Sequence, residues 1–291
     1  MSKFSHRVAN ARIAMLAGAG LGLSVGDAAV GGPGVELFEF VHDYAQVGGG
    51  TGFMNAQTAL NGATMWELDP GLGGVGTLRL TEAAPNEFGS AWRSTRLLAG
   101  LDWSTTFSMQ ASMLGGVNDL QSEPGGDGFG FHIQNTGTNA IASYDGVGFG
   151  GDHLTIAFDT FDESGMGLFG RIILNGMTLS TFDIGALGLG GAIEDWSGAV
   201  YTSTISYNSA ADTLFVGVFN ESTGAFVGSS ANVDLLAAGL GDATFGFTAN
   251  TSSSFQNHDI RAWRFDGATV PAPATIAMLG LGGLAATRRR R

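Results

Sequence analysis

Short stretches in which apolar residues alternate with polar ones, or run on without a break, recur from residue 77 to residue 265 with little between them but glycine, asparagine, aspartate and serine. TLRLT (77–81), STTFSMQASML (104–114), GFGFHIQ (128–134), LTIAFDTF (154–161) and GRIILNG (170–176) read as β-strands, and so do AVYTSTISYN (199–208), DTLFVGVFN (212–220), FVGSSANVDL (226–235), ATFGFTAN (243–250) and HDIRAWRF (258–265). A period of two cannot present a helical face, and strands at this spacing must bury their apolar sides against a second layer, which predicts an antiparallel sandwich. The 48 glycines in 291 residues suit many tight turns and penalise helix throughout. YNSAADTLFV reads as a hairpin by its turn residues, and DLLAAGLG as a single helical turn. No internal repeat or linker interrupts the pattern, so one domain is expected from 36 to 266.

The formal charge of −13 understates how acidic that domain is, because Lys3, Arg7, Arg12 and Arg288 to Arg291 all lie in the termini. Such a surface repels nucleic acid and anionic membranes, and leaves neutral polysaccharide, divalent cations or a basic surface as partners. With no cysteine, the fold rests on its core.

The two ends read differently. Residues 1–29 begin with Lys3, His6, Arg7 and Arg12, continue through IAMLAGAGLGLSVG and end in small residues, which resembles a secretory signal peptide cut near Ala28 or Ala29. Residues 270–291, VPAPATIAMLGLGGLAATRRRR, join a proline pair, a short apolar segment and four arginines. This resembles the PEP-CTERM sorting tail of bacteria that make exopolysaccharide, which an exosortase cuts; Pro271-Ala272-Pro273 lacks the motif's glutamate. Contact with a membrane is then expected only through this tail before processing, with the product secreted and held at the bacterial surface or matrix.

In chain order, TLRLT, GSAWRSTRLL, STTFSMQA, GGDGFGFHIQ, IAFDTF, STISYNSAADTLFV and NHDIRAWRF are similar to successive phrases of the L-type (legume-like) lectins. The resemblance covers residues 36 to 266 and implies an all-β, concanavalin A-like jelly-roll sandwich of two antiparallel sheets that binds sugar without covalent chemistry. By the same resemblance, Asp127 accepts hydrogen bonds from sugar hydroxyls after a cis Gly126–Asp127 peptide, and Gly148 or a neighbour in VGFGG donates a backbone N–H. Asp159 and the carbonyl of Phe161 would ligate calcium, and the Phe161 ring would support the apolar face of the sugar.

The departures are equally specific. Ala157 replaces the manganese-binding glutamate, so no manganese site is expected. Glu163 replaces the asparagine that bridges calcium and sugar; it offers oxygen to a cation but no hydrogen to a hydroxyl. SGMG (164–167) supplies no counterpart for the next aspartate, so retention and loss of calcium both stay open.

Other chemistry fits less well. Sandwich glycosidases carry E-x-D-x-x-E, and here Ala157, Asp159 and Asp162 stand at those positions with the nucleophile missing. GLGGVG (71–76) matches a dinucleotide motif only literally, since it precedes a strand. His6, His42, His132, His153 and His258 show no metal-ligand spacing; His132 is expected to be hydrogen-bonded on a strand and His258 to be structural. Trp196 in EDWSG is the tryptophan best placed to meet a ligand, Trp92, Trp103 and Trp263 being core or half-buried in the sheets. The expected function is carbohydrate binding, with a matrix sandwich that has lost its site as the alternative and a hydrolase third.

Overall fold

The computed structural model describes residues 36–43, 58–69, 75–120, 124–163, 168–187 and 199–269. The expected signal (1–29), the sorting tail (270–291), residues 71–74 of GLGGVG, SGMG (164–167) and Trp196 lie outside the described residues. In chain order the strands are β1 (Glu36–Asp43), β2 (Thr58–Gly62), β3 (Met65–Asp69), β4 (Val75–Thr81), β5 (Phe88–Arg93), β6 (Trp103–Gly116), β7 (Gly128–Gln134) and β8 (His153–Asp159). They continue with β9 (Phe169–Leu174), β10 (Met177–Asp183), β11 (Val200–Asn208), β12 (Thr213–Asn220), β13 (Phe226–Asn232), β14 (Thr244–Asn250) and β15 (Ser254–Thr269).

Among the described residues one sheet has eight strands, in the order β13-β12-β11-β6-β15-β4-β3 with β1 also paired to β15. The other has seven, β10-β9-β8-β7-β14-β5-β2. This is the antiparallel sandwich that the alternation predicted, in the jelly-roll form that the resemblance implied. The hairpin at YNSAADTLFV pairs Asn208 with Thr213. DLLAAGLG closes one turn, with Ala238 N–H on the Asp234 carbonyl at 3.0 Å. The last described strand runs to Thr269, four residues past the boundary read from its apolar pattern, because β1 keeps pairing with it to that point.

The core lies between the sheets, and a chain of aromatic rings in contact runs through its mainly aliphatic packing. Phe107 of β6 meets Phe247 of β14 edge-on at 5.0 Å, and Trp263 of β15 meets the same ring at 4.7 Å. Phe265 of β15 lies 4.3 Å from Phe245 of β14. On the face of the eight-stranded sheet turned away from the core, Asp259 of β15 receives a two-pronged 2.9 Å contact from Arg79 of β4. His258 has Thr81 Oγ1 at 2.7 Å from Nδ1 and the Gln256 amide nitrogen at 2.9 Å from Nε2, and that amide also donates to Thr160 Oγ1 at 2.6 Å.

Every residue of β7 and of β14 is buried, although one face of their sheet looks away from the core. The loop 135–152 covers that face. Its carbonyls at Thr138 and Ala140 accept from Asn61 Nδ2 (3.0 Å) and from Ser90 Oγ and Trp92 Nε1 (2.7 and 2.8 Å). The Phe149 ring lies 5.1 Å from His132 and 5.8 Å from Trp92. Gly130 makes the close approach possible, since a Cβ there would stand 2.2 Å from the Tyr144 carbonyl oxygen.

Candidate functional site

Asp127 enters β7 between two neighbours. Its N–H donates to the Asn250 carbonyl at the end of β14 (3.0 Å), and its carbonyl accepts from Thr160 N–H just past β8 (2.9 Å). The Gly126–Asp127 peptide is cis. Asn250 Nδ2 donates to Oδ2 at 2.6 Å and Ser252 Oγ to Oδ1 at 2.7 Å, which fixes the carboxylate plane. Each carboxylate oxygen accepts more than one hydrogen bond, so the half-buried group retains acceptor capacity for a ligand. Burial raises its pKa, the Ser252 and Asn250 bonds oppose that rise, and the charge of Glu163 adds to it.

Asp159 closes β8 directly opposite Gly128, so the two acids share one rim of the seven-stranded sheet. Tyr144 links them. Its N–H donates to Asn250 Oδ1 at 2.9 Å, the same amide that holds Asp127, and its hydroxyl meets Asp159 through Arg171 Nη2, 3.1 Å from one and 3.5 Å from the other. The ring lies on the strand because residue 128 is glycine: a Cβ there would be 2.8 Å from Tyr144 Cδ2 and 2.4 Å from the Phe158 carbonyl oxygen. Gly128→Ala is therefore expected to lift Tyr144 and cost about 2 kcal/mol, as overpacking typically does, measured by urea unfolding; an unchanged midpoint would contradict this packing.

Arg171 completes the cluster. It sits on β9 opposite Ala157, and its Nη2 lies 3.1 Å from Tyr144 Oη and 3.5 Å from Asp159 Oδ2, with Cζ 5.8 Å from the Tyr144 ring centre. Burial is the largest influence on Asp159 and lifts its pKa to about 6, against the Tyr144 hydroxyl, the Phe161 N–H and the charge of Arg171. Burial and the neighbouring Asp159 charge likewise raise Tyr144.

Phe161 is half-buried against Gly126, where a Cβ would come within 3.0 Å of its own Cβ and 3.2 Å of its ring, so the ring stands beside Asp127. Gly148 is exposed, with φ of 110°, in the turn that Phe149 N–H closes on the Gly146 carbonyl at 3.2 Å, continuous with the turn that Ser143 N–H closes on the Val147 carbonyl at 2.8 Å. Ser143 Oγ reaches Asn250 Oδ1 at 2.8 Å, which ties this turn to the Asp127 support. Glu163 is exposed, and its N–H donates to the Phe161 carbonyl at 3.2 Å.

The residues present do not fit calcium as the resemblance implies. Calcium takes six to eight oxygen ligands, yet Asp159 is engaged by Arg171 and the Phe161 N–H (3.2 Å), and the Phe161 carbonyl by Glu163. Among the described residues no group of three or more His, Cys, Asp or Glu could hold a metal. At the manganese position Ala157 is fully buried, and no carboxylate stands there for a glycosidase nucleophile either. His132 and His258 are both fully buried and hydrogen-bonded; His132 lies between Thr155 Oγ1 (2.8 Å) and Thr248 Oγ1 (2.7 Å).

Sequence reasoning missed Tyr144, Arg171, Asn250 and Ser252. A signal existed for one of them: Arg171 is a lone cation inside the apolar strand FGRIIL of an acidic domain.

Among solved structures, peanut lectin is similar over 81% of this chain and 99% of its own, at 23% identity and a TM-score of 0.60. The acidic lectin of winged bean, solved with methyl-α-D-galactose, gives 18% identity and a TM-score of 0.63, with 81% and 100% of the two chains covered. Its basic counterpart, solved with Tn antigen, gives 18% and 0.62 over the same shares. At these identities the likeness is one of fold. No curated protein matches the sequence. Residues 73–279 match the legume lectin domain, well over half of the 291 residues, and the chain belongs to the legume lectin family.

Proposed function

We propose that the domain is a non-enzymatic lectin whose sugar sits at the rim formed by Asp127, the Phe161 ring and the turn containing Gly148. The observation that carries this reading is the Asp127 carboxylate, oriented by Asn250 and Ser252 beside an aromatic ring. A sugar offers hydroxyl pairs at its edge and C–H groups on a face, and an oriented acid next to a ring answers both. The galactose-type ligands of the two winged bean lectins make galactosides the first class to test.

The termini support export and surface display, through a leader at 1–29 and exosortase processing of the tail at 270–291, with the domain at 36–266 bound to exopolysaccharide or another cell-surface glycan. One site of this kind binds weakly, and display in many copies would supply avidity.

A glycan array followed by titration calorimetry tests the reading. Asp127→Ala and Asp127→Asn are each expected to lower affinity about 100-fold or more, since two charge-assisted hydrogen bonds at roughly 1.5–3 kcal/mol apiece are lost. Undiminished affinity in both folded variants would remove the assigned site.

A further inference from the structure

We propose that Arg171 takes over the electrostatic role of the metal: its guanidinium, set between Asp159 and Tyr144, supplies the positive charge that organises this rim, and the site works without a bound cation. The inference rests on the sugar-binding reading above for its functional part and on geometry alone for its structural part.

Strand register carries the argument. Residues 157 and 159 lie on the same side of β8, because side chains alternate along a strand. Where the family carries the glutamate that binds manganese, this chain has the small, buried Ala157, and the residue paired directly across from it is Arg171. From that place the guanidinium reaches one register step along to Asp159 (3.5 Å) while donating to Tyr144 Oη (3.1 Å) and lying 5.8 Å from the centre of the same ring. A single guanidinium nitrogen thus joins the Tyr144 hydroxyl to the Asp159 carboxylate.

Removing one carboxylate and adding one fixed cation reverses the charge balance beside Asp159. A divalent ion on Asp159 would face the guanidinium at short range, where like charges repel strongly. Guanidinium also differs from calcium in what it organises. It is planar and directional, so it orders Tyr144 and thereby the turn that Asn250 ties to Asp127.

The full chain, dialysed against EDTA, is titrated with CaCl2 and with MnCl2 by calorimetry, and its Tm and galactoside affinity are read with and without each metal. The proposal expects no saturable metal binding, a Tm unchanged within about 1 °C and the same affinity in EDTA. Arg171→Gln should lower Tm and weaken sugar binding at least 10-fold, with Arg171→Lys recovering part of both. Stoichiometric calcium binding that raises Tm, or an Arg171→Gln protein equal to wild type in Tm, would overturn it. If the wild type binds no glycan, the functional reading fails, and the metal titration together with the Tm of Arg171→Gln still decides the role of the guanidinium.

Discussion

Acidification from pH 7 to pH 4 is expected to cost the fold roughly 3 kcal/mol through His258 alone. Burial holds this ring neutral and lowers its pKa from 6.5 to about 3. The hydrogen bonds reinforce that state. The Gln256 amide donates to Nε2, so Nδ1–H donates to Thr81 Oγ1, and a second ring proton would meet a donor. The unfolded chain takes up a proton as pH falls through 6.5 while the folded chain does not, so stability is complete above 6.5 and declines toward 3.

His132 acts in the same direction, its pKa also lowered by burial, with the nearby His153 adding to the effect. Thr248 Oγ1 donates to the Ser143 carbonyl at 3.1 Å and therefore accepts from Nε2–H, which leaves Nδ1 to accept from Thr155. Asp159 opposes both. Its carboxyl, raised to about 6, binds a proton in the folded state first and so recovers stability over part of the same range. The single-site effect is isolated by urea unfolding at pH 7 and pH 4. His258→Gln, less stable at pH 7, should lose roughly 3 kcal/mol less than wild type between the two pH values. Equal losses in the two proteins would show that His258 does not titrate as described.

Trp263→Ala is expected to destabilise the domain by about 3–5 kcal/mol, the usual cost of removing a large buried aromatic. The side chain is 1% exposed, lies edge-on to Phe247 and Phe245, and gives its Nε1–H to Thr105 Oγ1 at 2.8 Å. Trp263→Phe separates the two contributions. It keeps most of the apolar contact, and Thr105 still donates to the Arg264 carbonyl, so a loss nearer about 1–2 kcal/mol is expected. Calorimetric melting measures both, and a Trp263→Ala protein that melts like wild type would mean the sheets are not locked at this ring. Since Trp263 sits far along β15 from the acid rim, galactoside affinity in the folded variants should be unchanged.

The sequence was most readable where strands are central. GFGFHIQ, LTIAFDTF and ATFGFTAN have core on one face and strong apolar content throughout; β7 stands where GFGFHIQ was read, and β8 and β14 within one or two residues of the other two readings. Strands at the margins were harder. β2 and β10 are sheet edges, and β10 (MTLSTFD) buries only Phe182, so no alternation marks it. The acids at the rim were legible because Asp127 and Asp159 each end or begin a strong strand. Their supports were not, because Asn250, Ser252 and Arg171 meet them only through cross-strand register, which no local pattern encodes.

The position of β15 has a consequence for how the chain acquires its shape. This last strand is interior to its sheet, flanked by β6 on one side and by β4 and β1 on the other. A polypeptide still emerging from the ribosome, lacking residues beyond 254, holds the two halves of that sheet with nothing to join them. Completion therefore waits until residues 254–269 are made, and the nascent sheet stays open until then.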